Sequence, residues 1–203
     1  MSVKVKICGI TRIEDARAAF EAGADMIGLN FYAPSPRAVS LERAKEIRQA
    51  IDPSQQIVGV FVNAARDFIE RCVEELRLDF IQFHGDEPDS ILNGWPVPVI
   101  RALRLKPGDK FNSADHVSSQ YILLDTFHSQ LYGGTGAKRP LSDLHGLDLA
   151  RVFISGGLDS DNVHEAAALS PFAVDVASGV ESAPGVKDHR KLRSFIRNAK
   201  SAR

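Results

Sequence analysis

The stretch VKVKICGI, from Val3 to Ile10, alternates apolar and polar residues and then reaches a glycine. This period of two predicts a β-strand whose two faces meet different surroundings. Val5 and Ile7 share one face, whereas Lys6 and Cys8 share the other. The face that carries a lysine and a cysteine is the first candidate for a functional surface.

The rest of the chain repeats a strand followed by a helix-like segment. The predicted strands are Val3–Cys8, Met26–Phe31, Ile57–Val62, Phe80–His84, Val97–Leu103, Tyr121–Thr126, Val152–Ser155 and Ala173–Ala177. The predicted helical segments are 12–22, 41–51, 65–77, 88–93, 141–149, 160–169 and 188–199, and the polar segment 108–118 holds at most a short helix. Strands that alternate with helices predict a parallel sheet.

Two architectures are compatible with this alternation, an open doubly wound sheet and a closed barrel. The count of eight strands favours the closed form, and no single glycine-rich fingerprint follows the first strand. We therefore expect an α/β fold consisting of a single (β/α)8 TIM barrel over residues 1–203, with eight parallel strands and short loops.

Capping residues support several of the predicted helices. Thr11 with Glu14 forms a capping-box pattern before the first helix, and Gly23 is placed to end that helix. Ser40 precedes the second helix, and Asp159 or Ser160 can start the segment that contains NVHEAAAL. The basic end of the chain, KLRSFIRNAKSAR, has the apolar spacing of an amphipathic terminal helix.

Composition narrows the function classes. The formal net charge of -1 does not favour a nucleic-acid or membrane surface, and two cysteines in 203 residues are not a disulfide scaffold. We find no leader pattern and no apolar run of membrane-spanning length. These features predict a cytoplasmic enzyme or binding protein with a small-molecule ligand and neither nucleic-acid nor membrane partners. Cys72 has helical spacing and is expected to be a buried apolar residue.

The strand faces predict a polar barrel interior. If apolar residues face the helices, the inward set is Lys6, Cys8, Asn30, Gln82, His84, Arg101, Leu123, Asp125 and Asp175. The first and last strands of a closed barrel are neighbours, so Lys6 and Asp175 are expected to form a buried ion pair. His84 and Asn30 either contact a ligand or brace loops, and Arg101 is expected to be an interior charge partner.

Glycines and small hydroxyl residues cluster after the last three strands, in LYGGTGAKRP, SGGLDSDN and ASGVESAPGVKDH. In barrels of this type, the turns after strands seven and eight often bind phosphate through backbone N–H groups. The best candidate donors are Gly156, Gly157, Ser178 and Gly179. The loop at Gly133–Gly136 is expected to act as a lid or clamp.

Eight segments together resemble the phosphoribosylanthranilate isomerase family: KICGIT, GLNFYAPSPRAVS, VGVFVN, QFHGDE, LLDT, YGGTG, ISGGL and PFAVDVASGVE. The resemblance runs in order from Lys6 to about His189. It implies a (β/α)8 barrel that catalyses an Amadori rearrangement of N-(5-phosphoribosyl)anthranilate without a metal or organic cofactor. It also implies either a monomer or a homodimer.

The resemblance assigns a general base to Cys8, a general acid to Asp125 and an anthranilate-carboxylate contact to Arg37. The pattern departs after GGTG, at Ala137–Leu141, so the closing motion of that loop and any contact from Lys138 are open. Lys6 lies two residues before Cys8 on the same face, and its charge is expected to lower the pKa of the thiol.

Three other functions are weighed by their residue requirements. A Schiff-base aldolase needs an inward lysine near strand six, and YILLDT has none. A metal-dependent epimerase needs several His or Asp ligands at strand ends, where only His84 is a clear histidine. A noncatalytic phospholigand-binding barrel would not need both Cys8 and Asp125.

Overall fold

A computed structural model describes residues 3–105, 111, 118–126 and 141–202. Eight parallel strands close into a barrel in sequence order. The strands are β1 (Lys4–Cys8), β2 (Met26–Asn30), β3 (Gln56–Phe61), β4 (Phe80–Phe83), β5 (Val99–Leu105), β6 (Tyr121–Thr126), β7 (Val152–Ile154) and β8 (Ala173–Val176). The predicted fold class is confirmed.

Closure of the barrel depends on the pairing of its first and last strands. Strand β1 pairs in parallel with β2 and also with β8, and Lys6 lies opposite Asp175 in the second pairing. Residues more than 160 positions apart in the chain thereby become direct neighbours. All carboxyl ends of the strands lie at the same rim, because every pairing is parallel.

The helices lie between strands, as the sequence predicted, although some are shorter. They are α1 (Ile13–Glu21), α2 (Leu41–Gln49), α3 (Arg66–Leu76), α4 (Val163–Ala168) and α5 (His189–Ser201). Single 3-10 turns occupy Asp89–Leu92, Leu141–Leu144 and Ser178–Val180. The predicted helix 141–149 is wrong beyond its first turn, since Gly146 has a left-handed φ of 79° that ends any helix there.

The capping predictions have mixed outcomes. The Ser40 hydroxyl accepts a hydrogen bond from Arg43 N, as expected. Thr11 does not cap α1, because its hydroxyl instead donates to the carbonyl of Gly185 at 2.6 Å. Asp159 Oδ1 accepts from Asn162 N, but α4 begins at Val163 with Asn162 at its N-cap position, so neither predicted residue starts that helix. The weak segment 108–118 falls mostly outside the described residues.

Two apolar cores fill the molecule, one outside and one inside the barrel. The outer core joins the helices to the strands and includes Cys72, which is fully buried as predicted. The inner core fills the lower part of the barrel. Its buried members are Met26, Val58, Val60, Phe80, Ile100, Ala102, Leu123, Phe153 and Ala173. Because this inner core is apolar, the inward polar side chains that line the cavity lie toward the carboxyl end of the barrel.

A small hairpin that the sequence reading missed follows β8. Strand β9 (Glu181–Ala183) pairs antiparallel with β10 (Val186–Lys187), and α5 follows directly. The Asp188 carboxylate caps α5 by accepting from the N–H groups of Arg190 and Lys191. The apolar face of α5 is buried, as the amphipathic pattern predicted. No helix in the described ranges has the length and hydropathy that a membrane span requires.

Candidate active site

A cavity that is partly open to solvent lies at the carboxyl end of the barrel. All seven site residues predicted from the sequence line it. They are Cys8, Arg37, Asp125, Gly156, Gly157, Ser178 and Gly179. Their elements are spread over the whole chain, so only the closed barrel brings them together.

Cys8 stands at the end of β1 with its side chain on the inner side of the barrel. The next residue, Gly9, has a φ of 71°, and a Cβ atom on it would lie 2.6 Å from Arg37 Cδ. A larger residue would therefore displace the Arg37 side chain. Because Gly9 has no side chain, the Arg37 side chain can pack against the backbone next to Cys8.

Lys6 lies two residues before Cys8 on the same face of β1 and is fully buried. Its ammonium donates to Asp175 Oδ1 at 2.7 Å, which confirms the predicted pair. Although burial by itself lowers the pKa of Lys6, the Asp175 carboxylate and the Cys8 thiol together outweigh it, and the net pKa is raised. Asp175 also accepts from the Ser155 hydroxyl at 3.3 Å. The pair thus puts a neutralised lysine directly below the thiol.

The electrostatics of the Cys8 thiol differ from the expectation. Burial is the largest influence and raises the pKa of Cys8 above its ordinary value. The cation of Lys6 lowers it, the Asp175 carboxylate raises it, and the cation of Lys187 lowers it. Lys6 therefore acts in the expected direction, but its effect is too small to offset burial because Asp175 shares its charge.

Asp125 is the last member of a buried series of hydrogen-bonded side chains that begins at Gln82 and passes through His84. The Gln82 amide donates to His84 Nδ1 at 2.8 Å, which leaves the ring proton on Nε2. His84 Nε2 then donates to Asp125 Oδ2 at 3.2 Å. Gln82 Oε1 is buried and has no hydrogen-bond partner among the described residues. This series of hydrogen bonds fixes Oδ2 of Asp125, and the carboxyl group lines the cavity.

Arg37 reaches the cavity from the segment between β2 and α2. Its Nε and Nη2 donate to the two carboxylate oxygens of Glu181 at 2.9 and 2.7 Å. Such a two-bond fork fixes the plane of the guanidinium. Within the described ranges, Nη1 of Arg37 has no hydrogen-bond partner, so both of its N–H groups are available to a ligand.

Asn30 braces the segment that carries Arg37. Its Oδ1 accepts from Tyr32 N at 2.8 Å, and its amide nitrogen donates to the Ser35 hydroxyl at 3.2 Å. The same hydroxyl accepts from Arg37 N. Of the two roles left open by the sequence, the bracing role is therefore present, and Asn30 also lines the cavity.

The two glycine turns face each other at the rim. Gly156 and Gly157 have left-handed φ values of 86° and 68°, and the Asn162 amide holds the turn through the carbonyl of Gly157. A Cβ on Gly179 would lie 2.0 Å from the carbonyl oxygen of Leu158, so only glycine fits there. The backbone hydrogen bonds among described residues engage none of the N–H groups of Gly156, Gly157, Ser178 and Gly179.

One inward prediction is wrong. Arg101 lies on the outer side of β5, where its Nη1 donates to the carbonyl of Glu87 at 2.7 Å. The residues that face inward are Ile100 and Ala102. Val99 and Leu103 flank Arg101 on the outer face, so both faces of β5 carry apolar residues and the assumption that apolar residues face the helices gave the wrong parity. The Gly133–Gly136 loop and Lys138 lie outside the described residues.

Sequence reasoning missed two charged residues beside the cavity. Lys187 is buried, and its ammonium donates to the carbonyl of Cys8 at 2.7 Å and to Glu181 Oε1 at 2.9 Å. The signal that could have placed them is the Pro184–Gly185 dipeptide, which marks a turn between two short strand-like runs. A hairpin there would have put Glu181 and Lys187 close together.

Comparison with known proteins places the chain in one family. Residues 5–198 match the family described as N-(5'-phosphoribosyl)anthranilate isomerase. The N-(5'-phosphoribosyl)anthranilate isomerase of Pseudomonas fluorescens (strain Pf0-1) is 47% identical over 199 residues, which cover 96% of this chain and 97% of that protein.

Solved structures that resemble this chain belong to the same family. The crystal structure of phosphoribosyl anthranilate isomerase from Thermus thermophilus has a TM-score of 0.87 and 37% identity, with 99% of this chain and 100% of that chain covered. A phosphoribosyl anthranilate isomerase crystallised with reduced 1-(o-carboxyphenylamino)-1-deoxyribulose 5-phosphate has a TM-score of 0.77 and 36% identity, with 98% of both chains covered.

Proposed function

The chain belongs to the N-(5'-phosphoribosyl)anthranilate isomerase family, and from this premise we propose how its own residues carry out the reaction. The enzyme converts N-(5'-phosphoribosyl)anthranilate to 1-(2-carboxyphenylamino)-1-deoxyribulose 5-phosphate in the biosynthesis of tryptophan. This Amadori rearrangement needs an acid for the ring oxygen and a base for the neighbouring C–H bond.

Asp125 is the proposed acid. As its proton moves to the ring oxygen, the bond between that oxygen and C1 breaks, and the nitrogen lone pair forms an iminium at C1. His84 holds Oδ2 at 3.2 Å, which fixes the carboxyl group of Asp125 at the wall of the cavity. Positioned proton donors of this kind typically contribute about 10²–10⁴ in rate.

Cys8 is the proposed base. The iminium makes the proton on C2 acidic, and the thiolate removes it, so that the C–H electrons form an enamine between C1 and C2. Tautomerisation of this enol-amine gives the ketone product, with no net oxidation or reduction of the molecule. Because β1 and β6 are not neighbours in the barrel, acid and base can act on opposite sides of one sugar.

The proposed anchors hold the two ends of the substrate. Nη1 of Arg37 binds the anthranilate carboxylate, for which a guanidinium is geometrically suited. The N–H groups of Gly156, Gly157, Ser178 and Gly179 bind the phosphate, because nothing in the described backbone uses them. An anchored substrate is presented to acid and base in a fixed orientation, which lowers the entropic part of the barrier.

The single observation that carries this proposal is that all seven residues line one cavity whose acid and base come from non-adjacent strands. The absence of a cofactor, the cytoplasmic location and the assembly state remain predictions.

The test is to incubate the protein with N-(5'-phosphoribosyl)anthranilate and to follow the loss of its fluorescence, with the product identified by chromatography. Cys8→Ser should abolish most turnover, whereas the matched Cys72→Ser should retain it, since Cys72 is buried on the outer side of the barrel. Near-normal turnover by Cys8→Ser would refute the base assignment. Substrate that binds without reacting in the wild type would favour a noncatalytic binding barrel.

A further inference from the structure

Lys187 occupies a position that packing alone does not explain. Lys187 as a whole is 4% exposed. Its ammonium donates to three acceptors, the carbonyls of Cys8 and Ala177 and the carboxylate of Glu181. An ammonium has three protons, so all of its donors are used. Burying an unpaired ammonium is costly, and the hydrogen bonds together with Glu181 compensate for it.

Glu181 is the link between Lys187 and Arg37. Its carboxylate accepts four hydrogen bonds, two from Arg37, one from Lys187 and one from Gly185 N at 3.3 Å. Although burial raises the pKa of Glu181, the hydrogen bonds and charges of Arg37 and Lys187 outweigh it, and the net pKa is lowered. Glu181 is therefore an ionised group shared between two cations.

The charges of this cluster are unequal. Two cations share one carboxylate, so the triad of Arg37, Glu181 and Lys187 has one positive charge in excess. Because the triad lies beside the cavity and the backbone of Cys8, its excess positive charge would stabilise both a bound carboxylate and the Cys8 thiolate. The ionisable groups that face Cys8 are Lys6 on its own strand, Asp175 on β8, Lys187 on β10, Arg37 before α2, and His84 and Asp125 across the cavity.

We propose that Glu181 and Lys187 are positioning residues that join the substrate-binding Arg37 to the backbone of Cys8 and keep one positive charge between them. Glu181 fixes the guanidinium plane so that Nη1 points to the ligand carboxylate. Lys187 fixes the carbonyl of Cys8 and favours the thiolate. This inference deepens the proposed function and rests on the roles given there to Arg37 and Cys8.

A purely structural role for the hairpin makes a different prediction. If Glu181 and Lys187 only held β9 and β10 against the barrel, replacing either one would weaken the fold and shift the Cys8 thiol in no particular direction. The proposed role requires opposite electrostatic effects. Removing the lysine removes a positive charge near the thiol, and neutralising the glutamate removes a negative one.

The experiment compares Lys187→Met and Glu181→Gln with the wild type. Lys191→Met is the matched control, because Lys191 is exposed and donates to the backbone carbonyl of Glu181 at 3.0 Å, not to its carboxylate. The first measurement is the pH dependence of alkylation by iodoacetamide, with Cys8 identified by peptide mass. The second is the division of the kinetic effect between kcat and KM.

In Lys187→Met, the alkylation midpoint should rise by about one pH unit and kcat should fall, because a nearby cation typically shifts a pKa by this amount or more. In Glu181→Gln, the midpoint should fall, and KM should rise roughly tenfold because Arg37 loses a charge-assisted clamp. Lys191→Met should change neither the midpoint nor KM.

Midpoints that move in the same direction, or that do not move in variants with native circular dichroism, would overturn the proposal. If Lys187→Met does not fold, Glu181→Gln decides alone, since glutamine keeps the volume and can still accept from Lys187. The alkylation readout needs no substrate. An inactive wild type would therefore refute the proposed function without affecting this test of the charge arrangement.

Discussion

The ammonium of Lys6 lies 2.7 Å from the carboxylate of Asp175, and this buried pair joins the first strand of the barrel to the last. Both side chains are almost completely shielded from solvent. Each ion would be strongly destabilising alone, so the pair makes the closure of the barrel conditional on both residues. It also supports the strand end on which Cys8 stands.

Asp175→Asn should lower the free energy of unfolding by about 3–5 kcal/mol, because it leaves the Lys6 ammonium buried without its counter-ion. Urea denaturation measures the effect. The double variant Lys6→Met with Asp175→Asn should recover part of the loss. Glu70→Gln, in the exposed pair with Arg66, is the control and should cost less than about 1 kcal/mol. An equal cost for both single variants would contradict the importance of the buried pair.

An ordinary cysteine thiol has a pKa of about 8.5. In the wild type, the pH midpoint for alkylation of Cys8 should lie above that value. Burial raises the pKa of Cys8, so the thiolate becomes abundant only as the pH rises past that value. The rate with iodoacetamide across the pH range measures this. Unfolding in guanidinium should return the midpoint to the ordinary value, and a folded midpoint below it would show that the cations outweigh burial.

Asp125→Asn should reduce kcat by about 10²–10⁴, since an amide cannot deliver the proton that opens the sugar ring. Binding of substrate, measured by quenching of its fluorescence, should change little. Asp52→Asn, which alters an exposed carboxylate in the turn before β3, should leave kcat unaltered. Retained turnover in Asp125→Asn would require another acid, of which His84 is the first candidate.

Gln82→Leu should lower kcat about tenfold with little net change in the free energy of unfolding, because it removes a buried oxygen but also leaves the buried His84 Nδ1 without its donor. Leucine removes the buried oxygen that lacks a partner among the described residues, which favours the fold. It also removes the donor that keeps the His84 proton on Nε2. Kinetics and thermal unfolding of the same preparation give both quantities, and a loss of stability with unaltered kcat would refute this role.

Gly179→Ala should raise KM at least about tenfold, because the new Cβ would meet the carbonyl oxygen of Leu158 and displace the turn proposed to bind phosphate. Inhibition by inorganic phosphate should weaken in parallel. Gly146→Ala has open space around its Cβ and tests the cost of a substitution at positive φ, about 1 kcal/mol, without an effect on KM. Equal KM values for both variants would argue against the phosphate turn.

The local patterns of the sequence were sufficient for the eight barrel strands and for most of their orientations, but not for the hairpin of β9 and β10. Alternation in VKVKICGI placed Lys6 and Cys8 on one face, and YILLDT placed Asp125 on the inward face, as the structure has them. These predictions succeed because a strand's side chains alternate whatever the partners are. The same rule failed for Arg101, where both faces of β5 are apolar and alternation gives no direction.

What only the tertiary structure decided is how distant charges combine. The fork between Arg37 and Glu181 and the bond from Lys187 to the carbonyl of Cys8 join residues more than 140 positions apart in the chain. The net rise in the pKa of the thiol follows mainly from its burial in the closed barrel. The sequence by itself determined which groups are present and which way each strand presents them. Closure of the barrel determined their distances and burial, and these set the strength of an electrostatic interaction.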